Sequence, residues 1–287
     1  MKDILYFYRL SRPLNVLITQ LAFSLGAFIA LKLDHSFIEV EEFWYGLVAL
    51  TVISATGYWV NDAYDFKIDR VNKPRKVIVN AHISVKKVLT GYFVAIGLVL
   101  IASLIFQEIT LFLINATAVA LLFGYAALLK RTTVIGNLVI ASLTGMVIYY
   151  AGMIFGFRWP VIWTVAFAFE VTFLREVVKD MEDIKGDLKF KLNTLPIRAG
   201  IKSTKKVLYV AFAVFILTCN GPLVLDIINE RPINLNYLAA SIALVQIPAG
   251  LIIWQLAKAK SSKDFHRIST FLKGLVFLGM ASVLFLK

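Results

Sequence analysis

Three aspartates, Asp62, Asp65 and Asp69, follow Asn61 at the end of a long apolar stretch. Spacings of three and four residues put them on one face of a helix, about one turn apart, so their oxygens converge. A second set, Glu176, Asp180, Asp183 and Asp187, repeats the arrangement at intervals of four, three and four. Neither set contains a histidine or a cysteine, so any metal held there sees oxygen alone. All-oxygen donors suit a hard cation, Mg²⁺ foremost, and Mg²⁺ held by carboxylates completes its shell with water and phosphate oxygens. That chemistry points to a phosphorylated substrate. Acids at helix ends also form solvated rims, and one cluster alone does not choose between the two; a matching pair favours the metal. Glu182 falls off the second face and is expected to see only water.

The elements that carry these acids are expected to be membrane helices. Of 287 residues, 59% are hydrophobic and 17% charged, and apolar segments of about 20 residues recur, the length that crosses ~30 Å of hydrocarbon. An Asp at the centre of such a helix costs about 2.5–3.5 kcal/mol, so the acids belong near the water boundary or around a polar cavity. The expected fold is all-α, a polytopic bundle of nine transmembrane helices forming one integral membrane domain over residues 1–287. The spans fall at roughly 14–31, 43–61, 85–106, 109–129, 136–155, 161–178, 207–225, 238–256 and 270–286, which places the acidic motifs at the ends of the second and sixth. Pro13 suits a first helical turn, and Asn72-Lys73-Pro74 ends the second helix. Residues 1–12 read as an interfacial lead-in rather than a removable leader. The sole cysteine, Cys219, leaves no internal disulfide.

A net charge of +12 would suit nucleic acid, but the basic residues follow topology instead. With the N-terminus inside, of 30 Lys and Arg only Lys32, Arg158, Arg231 and Lys287 fall in outer connections or at the C-terminus. This positive-inside pattern puts both acidic motifs on the cytoplasmic side and assigns the loop charges to lipid headgroups, with no nucleic-acid partner. The two acidic helices, four spans apart, run in the same direction and can oppose each other, with two or three Mg²⁺ and a diphosphate between them. Lys73, Lys130, Arg131 and Arg198 are candidate cations for that diphosphate, although each also serves simply to mark the inner side. Tyr64, Tyr125 and Tyr149 are candidates to shield a carbocation with their ring faces; in a chain with 22 Phe and 11 Tyr, most aromatics pack or meet lipid. Asn15 faces either solvent or the site. Glu170, inside the sixth span, reads as a hydrogen-bonded bundle residue before a functional one, and His82 as an ordinary loop histidine.

Asn61-Asp62-x-x-Asp65-x-x-x-Asp69, with the later Asp180-x-x-Asp183-x-x-Gly186-Asp187, resembles the paired signature of the UbiA superfamily of intramembrane prenyltransferases. The likeness extends to Arg12-Pro13-x-Asn15, Asn72-x-Pro74, Leu129-Lys130-Arg131 before Gly136-Asn137, and Thr194-Leu195-Pro196; Arg75-Lys76 departs from the Arg-Pro of many members. The resemblance implies a prenyl diphosphate bound through Mg²⁺ to Asn61, Asp62, Asp65, Asp69, Asp180, Asp183 and Asp187. Its tail would lie in the bundle, and a lipid-phase acceptor would reach it from a prokaryotic cell membrane. Asp62, Asp65, Asp180 and Asp183 would sit at the centre of catalysis, and Asn15, Asn61, Lys73, Tyr125, Lys130, Arg131 and Arg198 would contact substrate. Glu176 would complete the metal wall or help a hydroxyl lose its proton. The wording REVVKDMEDIKGD resembles the branch that makes archaeal glycerol-ether lipids, implying geranylgeranyl transfer to geranylgeranylglyceryl phosphate. The alternative acceptor is an aromatic acid of quinone biosynthesis, 4-hydroxybenzoate or dihydroxynaphthoate. An ion-coupled transporter is the competing class; its acids would lie near the midplane, where only Glu170 does. Nothing in the sequence specifies an oligomeric state.

Overall fold

The computed structural model describes residues 2–106 and 108–286; Gln107, in the expected turn between the third and fourth spans, and Lys287 lie outside the described residues. Among these the regular elements are helices, apart from one isolated bridge between Val79 and Ile83. The short amphipathic α1 (Lys2–Leu10) precedes α2 (Pro13–Ala30), where Pro13 takes a first-turn position that needs no N–H. The first acidic helix is α3 (Glu41–Asn72); it stops where Lys73 N–H donates to the Asp69 carbonyl at 2.7 Å and Pro74 cannot continue the ladder. Then come α4 (Val85–Phe106), α5 (Ile109–Ala127), a 3₁₀ turn over Leu129–Arg131, and α6 (Ile135–Phe155). The second acidic helix is α7 (Trp159–Lys189). Next, α8 (Leu195–Ile228) bends at Gly200, whose φ of 79° suits a residue without a Cβ. A π-helical segment, Ser241–Gln246, joins α9 (Leu235–Ala240) to α10 (Ile247–Lys258). The last helix, α11 (Ser262–Val283), starts well before the expected residue 270 because Ser261 and Asp264 form a capping box.

Among the described residues, seven helical stretches are long and apolar enough to cross a membrane: α2 through α6, α8, and the α9–α10 run. The acidic helix α7 and α11, 31 and 22 residues long, are not among them. Charge interrupts both, at Glu170, Arg175 and Glu176 in α7 and at Arg267 and Lys273 in α11.

Each acidic helix is the hub of one half of the bundle. Around α3 pack α2, α4 and α5, and around α7 pack α6, α8 and α11. The second half is sealed by Leu174, Val178, Leu208, Phe212, Leu256 and Leu272, and the first by Ile53, Val60, Tyr92 and Ile96. In lipid such contacts hold by closeness of fit rather than by escape from water. At their charged ends the hubs are clipped by Asn72, whose Nδ2 donates to the Asp183 carbonyl at 3.1 Å while its Oδ1 accepts the Gly186 N–H at 2.8 Å. A Cβ at position 186 would lie 2.4 Å from that amide, so the approach depends on glycine.

Candidate active site

Between the clipped ends lies a cavity of about 640 Å³, lined by Asn61, Asp62, Asp65 and Asp69 of α3 and Asp183 of α7. Cations from other elements answer Asp62, Asp65 and Asp183. Arg12 Nη2 lies 2.5 Å from Asp62 Oδ1, and Arg12 itself holds a φ of 49°, which a residue with a side chain keeps only under constraint. Lys130 pairs with Asp65, whose side chain is 5% exposed. Lys73 Nζ reaches Asp183 Oδ2 at 2.8 Å and Glu182 Oε1 at 3.9 Å. Burial alone would discharge the Lys130 ammonium, but Asp65, seconded by Tyr125, outweighs it and holds the group above the ordinary lysine range. Lys73 follows the same rule, with burial opposed and overcome by Asp183.

The cavity continues into an apolar chamber of about 270 Å³ that runs along α3 from Asn61 past Tyr58 and Ile53 to Leu50. That separation of eleven positions corresponds to roughly 16 Å of helix. Tyr125, Tyr150 and Phe167 contribute to its walls, and Asn115 Nδ2 donates to Tyr150 Oη at 3.2 Å and to Ser103 Oγ at 3.0 Å. Five residues line both spaces, Arg12, Asn61, Arg175, Lys179 and Lys273, and so form a polar seam between them.

Several expected positions come out differently. Glu176 does not line the acidic cavity; it lines the chamber, held by Arg175 at 2.7 Å and Lys179 at 2.9 Å. From Glu176 to Asp187 is eleven residues, roughly 16 Å along the axis, so one face does not mean one site. Asp180 Oδ2 accepts from Asn137 Nδ2 at 2.9 Å, and Asp187 is buried; neither lines the cavity. Arg131 is exposed and contributes its carbonyl to Asn193 N–H at 3.1 Å, whereas its neighbour Lys130 points inward; consecutive residues of a 3₁₀ turn diverge by a third of a circle. Arg198 is also exposed and donates to Thr133 Oγ1 at 3.4 Å, away from the cavity. Tyr64 and Tyr149 face outward, while Tyr58 and Tyr125 line the chamber. Asn15 faces the chamber and accepts from Lys273 Nζ at 2.5 Å.

Glu182 is the clearest correction. It lines the cavity, its side chain only 9% exposed, with His266 Nδ1 at 2.9 Å and Ser269 Oγ donating at 3.0 Å, because α11 packs over the face assigned to water. Glu170 accepts from Thr218 Oγ1 at 2.8 Å and lines neither space, in keeping with a bundle residue. His82 stacks on Tyr6, apart from the site. Sequence reasoning missed Lys273 as a site residue, although a lysine inside an apolar helix is the same signal that singled out Glu170.

Among the described residues no three acidic, histidine or cysteine side chains form a close metal-binding group. The donor set still fits a hard divalent ion. Asn61 Oδ1 is buried with no hydrogen-bond partner, a state that costs about 1–3 kcal/mol, and it belongs to the same cavity as Asp62, Asp65, Asp69 and Asp183.

Paired acidic helices thus meet over an apolar chamber in a bundle with helices long and apolar enough to cross a membrane. The chain belongs to the UbiA prenyltransferase family, whose pattern matches residues 19–276, and it is an integral membrane enzyme that transfers prenyl groups. Its relatives include the digeranylgeranylglyceryl phosphate synthase of Metallosphaera sedula, 32% identical over 281 residues, spanning 96% of this chain and 93% of that one. The enzyme of the same name from Thermococcus sibiricus is 31% identical over 286 residues, spanning 97% and 95%. In fold the chain is similar to a solved structure described as digeranylgeranylglyceryl phosphate synthase in membranes, with a TM-score of 0.74, 24% identity, and 99% and 98% of the two chains covered. A UbiA homologue from Archaeoglobus fulgidus bound to GPP and Mg²⁺ matches with a TM-score of 0.64 and 18% identity over 97% and 99%. At these identities the two structures speak for the fold.

Proposed function

We propose that the chain transfers a geranylgeranyl group from its diphosphate to the free hydroxyl of geranylgeranylglyceryl phosphate, forming an ether lipid. The names of relatives 31–32% identical over nearly the whole chain support this reading. The observation that carries it is the seam, where a cation-rich, carboxylate-lined cavity opens directly into an apolar chamber. A molecule with a diphosphate head and a prenyl tail fits that pair of spaces with its C–O junction near Asn61.

Asn61, Asp62, Asp65, Asp69 and Asp183 are the residues that would hold Mg²⁺, which when bound supplies charge neutralisation of the departing diphosphate. Lys73 and Lys130, kept protonated by their carboxylates, add fixed positive charge where the leaving group gathers its negative charge. The allylic C–O bond breaks with its electron pair leaving on the diphosphate, and the allylic cation forms in the chamber that Tyr58 and Tyr125 help to line. The acceptor hydroxyl oxygen then bonds to that carbon, and its proton passes to the released diphosphate. Apolar walls keep water from taking the cation first. Asp180, held by Asn137, and buried Asp187 brace α7 behind the cavity.

The reading includes one domain with nine crossings, α7 and α11 joining the seven apolar stretches, and with the N-terminus and cavity on the cytoplasmic side of the cell membrane. The test is the lipid product of purified protein given Mg²⁺, geranylgeranyl diphosphate and competing acceptors. An acid-stable ether lipid from geranylgeranylglyceryl phosphate is expected; selective prenylation of 4-hydroxybenzoate or dihydroxynaphthoate would overturn the acceptor.

A further inference from the structure

Four cations meet at the seam, but only two carboxylates answer them. Asp62 takes Arg12 at 2.5 Å, and Glu176 takes both Arg175 at 2.7 Å and Lys179 at 2.9 Å. Lys273 Nζ meets the neutral Asn15 Oδ1 at 2.5 Å, and among the described residues no carboxylate pairs with it. Arg175 Nε is buried with no hydrogen-bond partner. Two positive charges are thus left over beside an apolar chamber, where uncompensated charge is costly.

Arg175 and Lys273 line the apolar chamber as well as the cavity, whereas Lys73 and Lys130, which answer Asp183 and Asp65, line the cavity alone. Lys73 and Lys130 come from the connections after α3 and α5, whereas Arg175 and Lys273 come from α7 and α11, with Asn15 opposite on α2. A phosphate monoester carries about −1.5 to −2 charges near neutral pH and three strong acceptor oxygens, which matches two surplus cations and an unused guanidinium N–H. A carboxylate brings a single charge and leaves the seam unbalanced.

We propose that Arg175 and Lys273, with Asn15 of α2, bind the phosphate of the acceptor, in a second anion site across the seam from the diphosphate. The inference rests on the glyceryl phosphate reading above and sharpens it. Glu176 is then a positioning residue, holding Arg175 and Lys179 at the chamber wall. With its phosphate fixed there, the acceptor extends its hydrocarbon into the chamber and presents its hydroxyl to the prenyl carbon near Asn61.

The experiment compares wild type, Lys273→Met and Lys273→Arg with geranylgeranyl diphosphate and either geranylgeranylglyceryl phosphate or the same acceptor without its phosphate. A charge-assisted hydrogen bond is worth about 10- to 100-fold in binding. Lys273→Met should therefore raise KM for the phosphorylated acceptor by about that factor and leave KM for geranylgeranyl diphosphate within about twofold. Lys273→Arg should recover most of the loss, and the penalty should vanish on the acceptor lacking phosphate. Parallel rises in both KM values would put Lys273 at the diphosphate instead and overturn the proposal, as would an equal penalty on both acceptors. Wild type that ignores the glyceryl phosphate overturns the acceptor reading and the subsite together. Wild type that uses it, beside an unimpaired Lys273→Met, overturns the subsite alone.

Discussion

The two acidic helices share a spacing and differ in what meets it. On α3 the acids look into one cavity and are answered from far along the chain, Asp62 by Arg12 50 positions away and Asp65 by Lys130 65 positions away. On α7 the same intervals are spread through the depth of the bundle. Glu176 is neutralised by residues one and three positions away, Asp180 accepts a hydrogen bond from a neutral amide, and only Asp183 and the off-face Glu182 reach the cavity. Spacing selects a face, whereas depth along the axis and the neighbouring helix select what that face can do. The wall on α3 is therefore the reactive one in the proposed mechanism, and α7 is largely its frame.

The largest effects should separate those two roles. Asp62→Ala and Asp65→Asn are expected to lower turnover by about 10²–10³-fold, with a monodisperse folded protein in detergent, while Asp180→Asn loses less than about tenfold. Steady-state prenyl transfer at saturating Mg²⁺ measures this, and an Asp180→Asn loss as deep as that of Asp65→Asn would erase the distinction. Next in size is Gly186→Ala, which forces a methyl into the Asn72 clip and should cost about 1–3 kcal/mol by overpacking. A lowered thermal midpoint with severalfold slower transfer is expected; an unchanged midpoint would show that the two hubs do not depend on the clip. The smallest effect belongs to Arg131→Ala and Arg198→Ala. Both are exposed and outside the cavity, so stability should stay within about 0.5 kcal/mol and transfer near wild type, and a deep loss in either would return it to the site.

Much of this was legible beforehand. Period and length located α3 and α7, and Asn72-Lys73-Pro74 marked where α3 stops, because helix propagation and proline are local matters. Side-chain direction across elements was not local. Lys130 and Arg131 are adjacent and equally basic, yet only the turn geometry sends one inward. Glu182 looked solvated on a wheel drawn for α7 alone, and it took the packing of α11 to bring His266 and Ser269 to it. Lys273 carried its own signal, a charge inside an apolar helix, but its partner Asn15 lies 258 positions away and no spacing rule connects them.

The Asn72–Gly186 clip also has a consequence for biosynthesis. Its two halves are 114 positions apart, so at roughly 5–20 residues per second the ribosome takes about 6–23 s to make the second after the first. Through that interval α3 must sit in the bilayer without its partner hub. Arg12 and Lys130 are both made before α7, and they neutralise Asp62 and Asp65 from within the nascent first half. Lys73 and Asn72, by contrast, have to wait for Asp183 and Gly186. The order of translation thus supplies the cations opposite Asp62 and Asp65 before the second hub exists, and the partner of Asn72 only once Gly186 has been made.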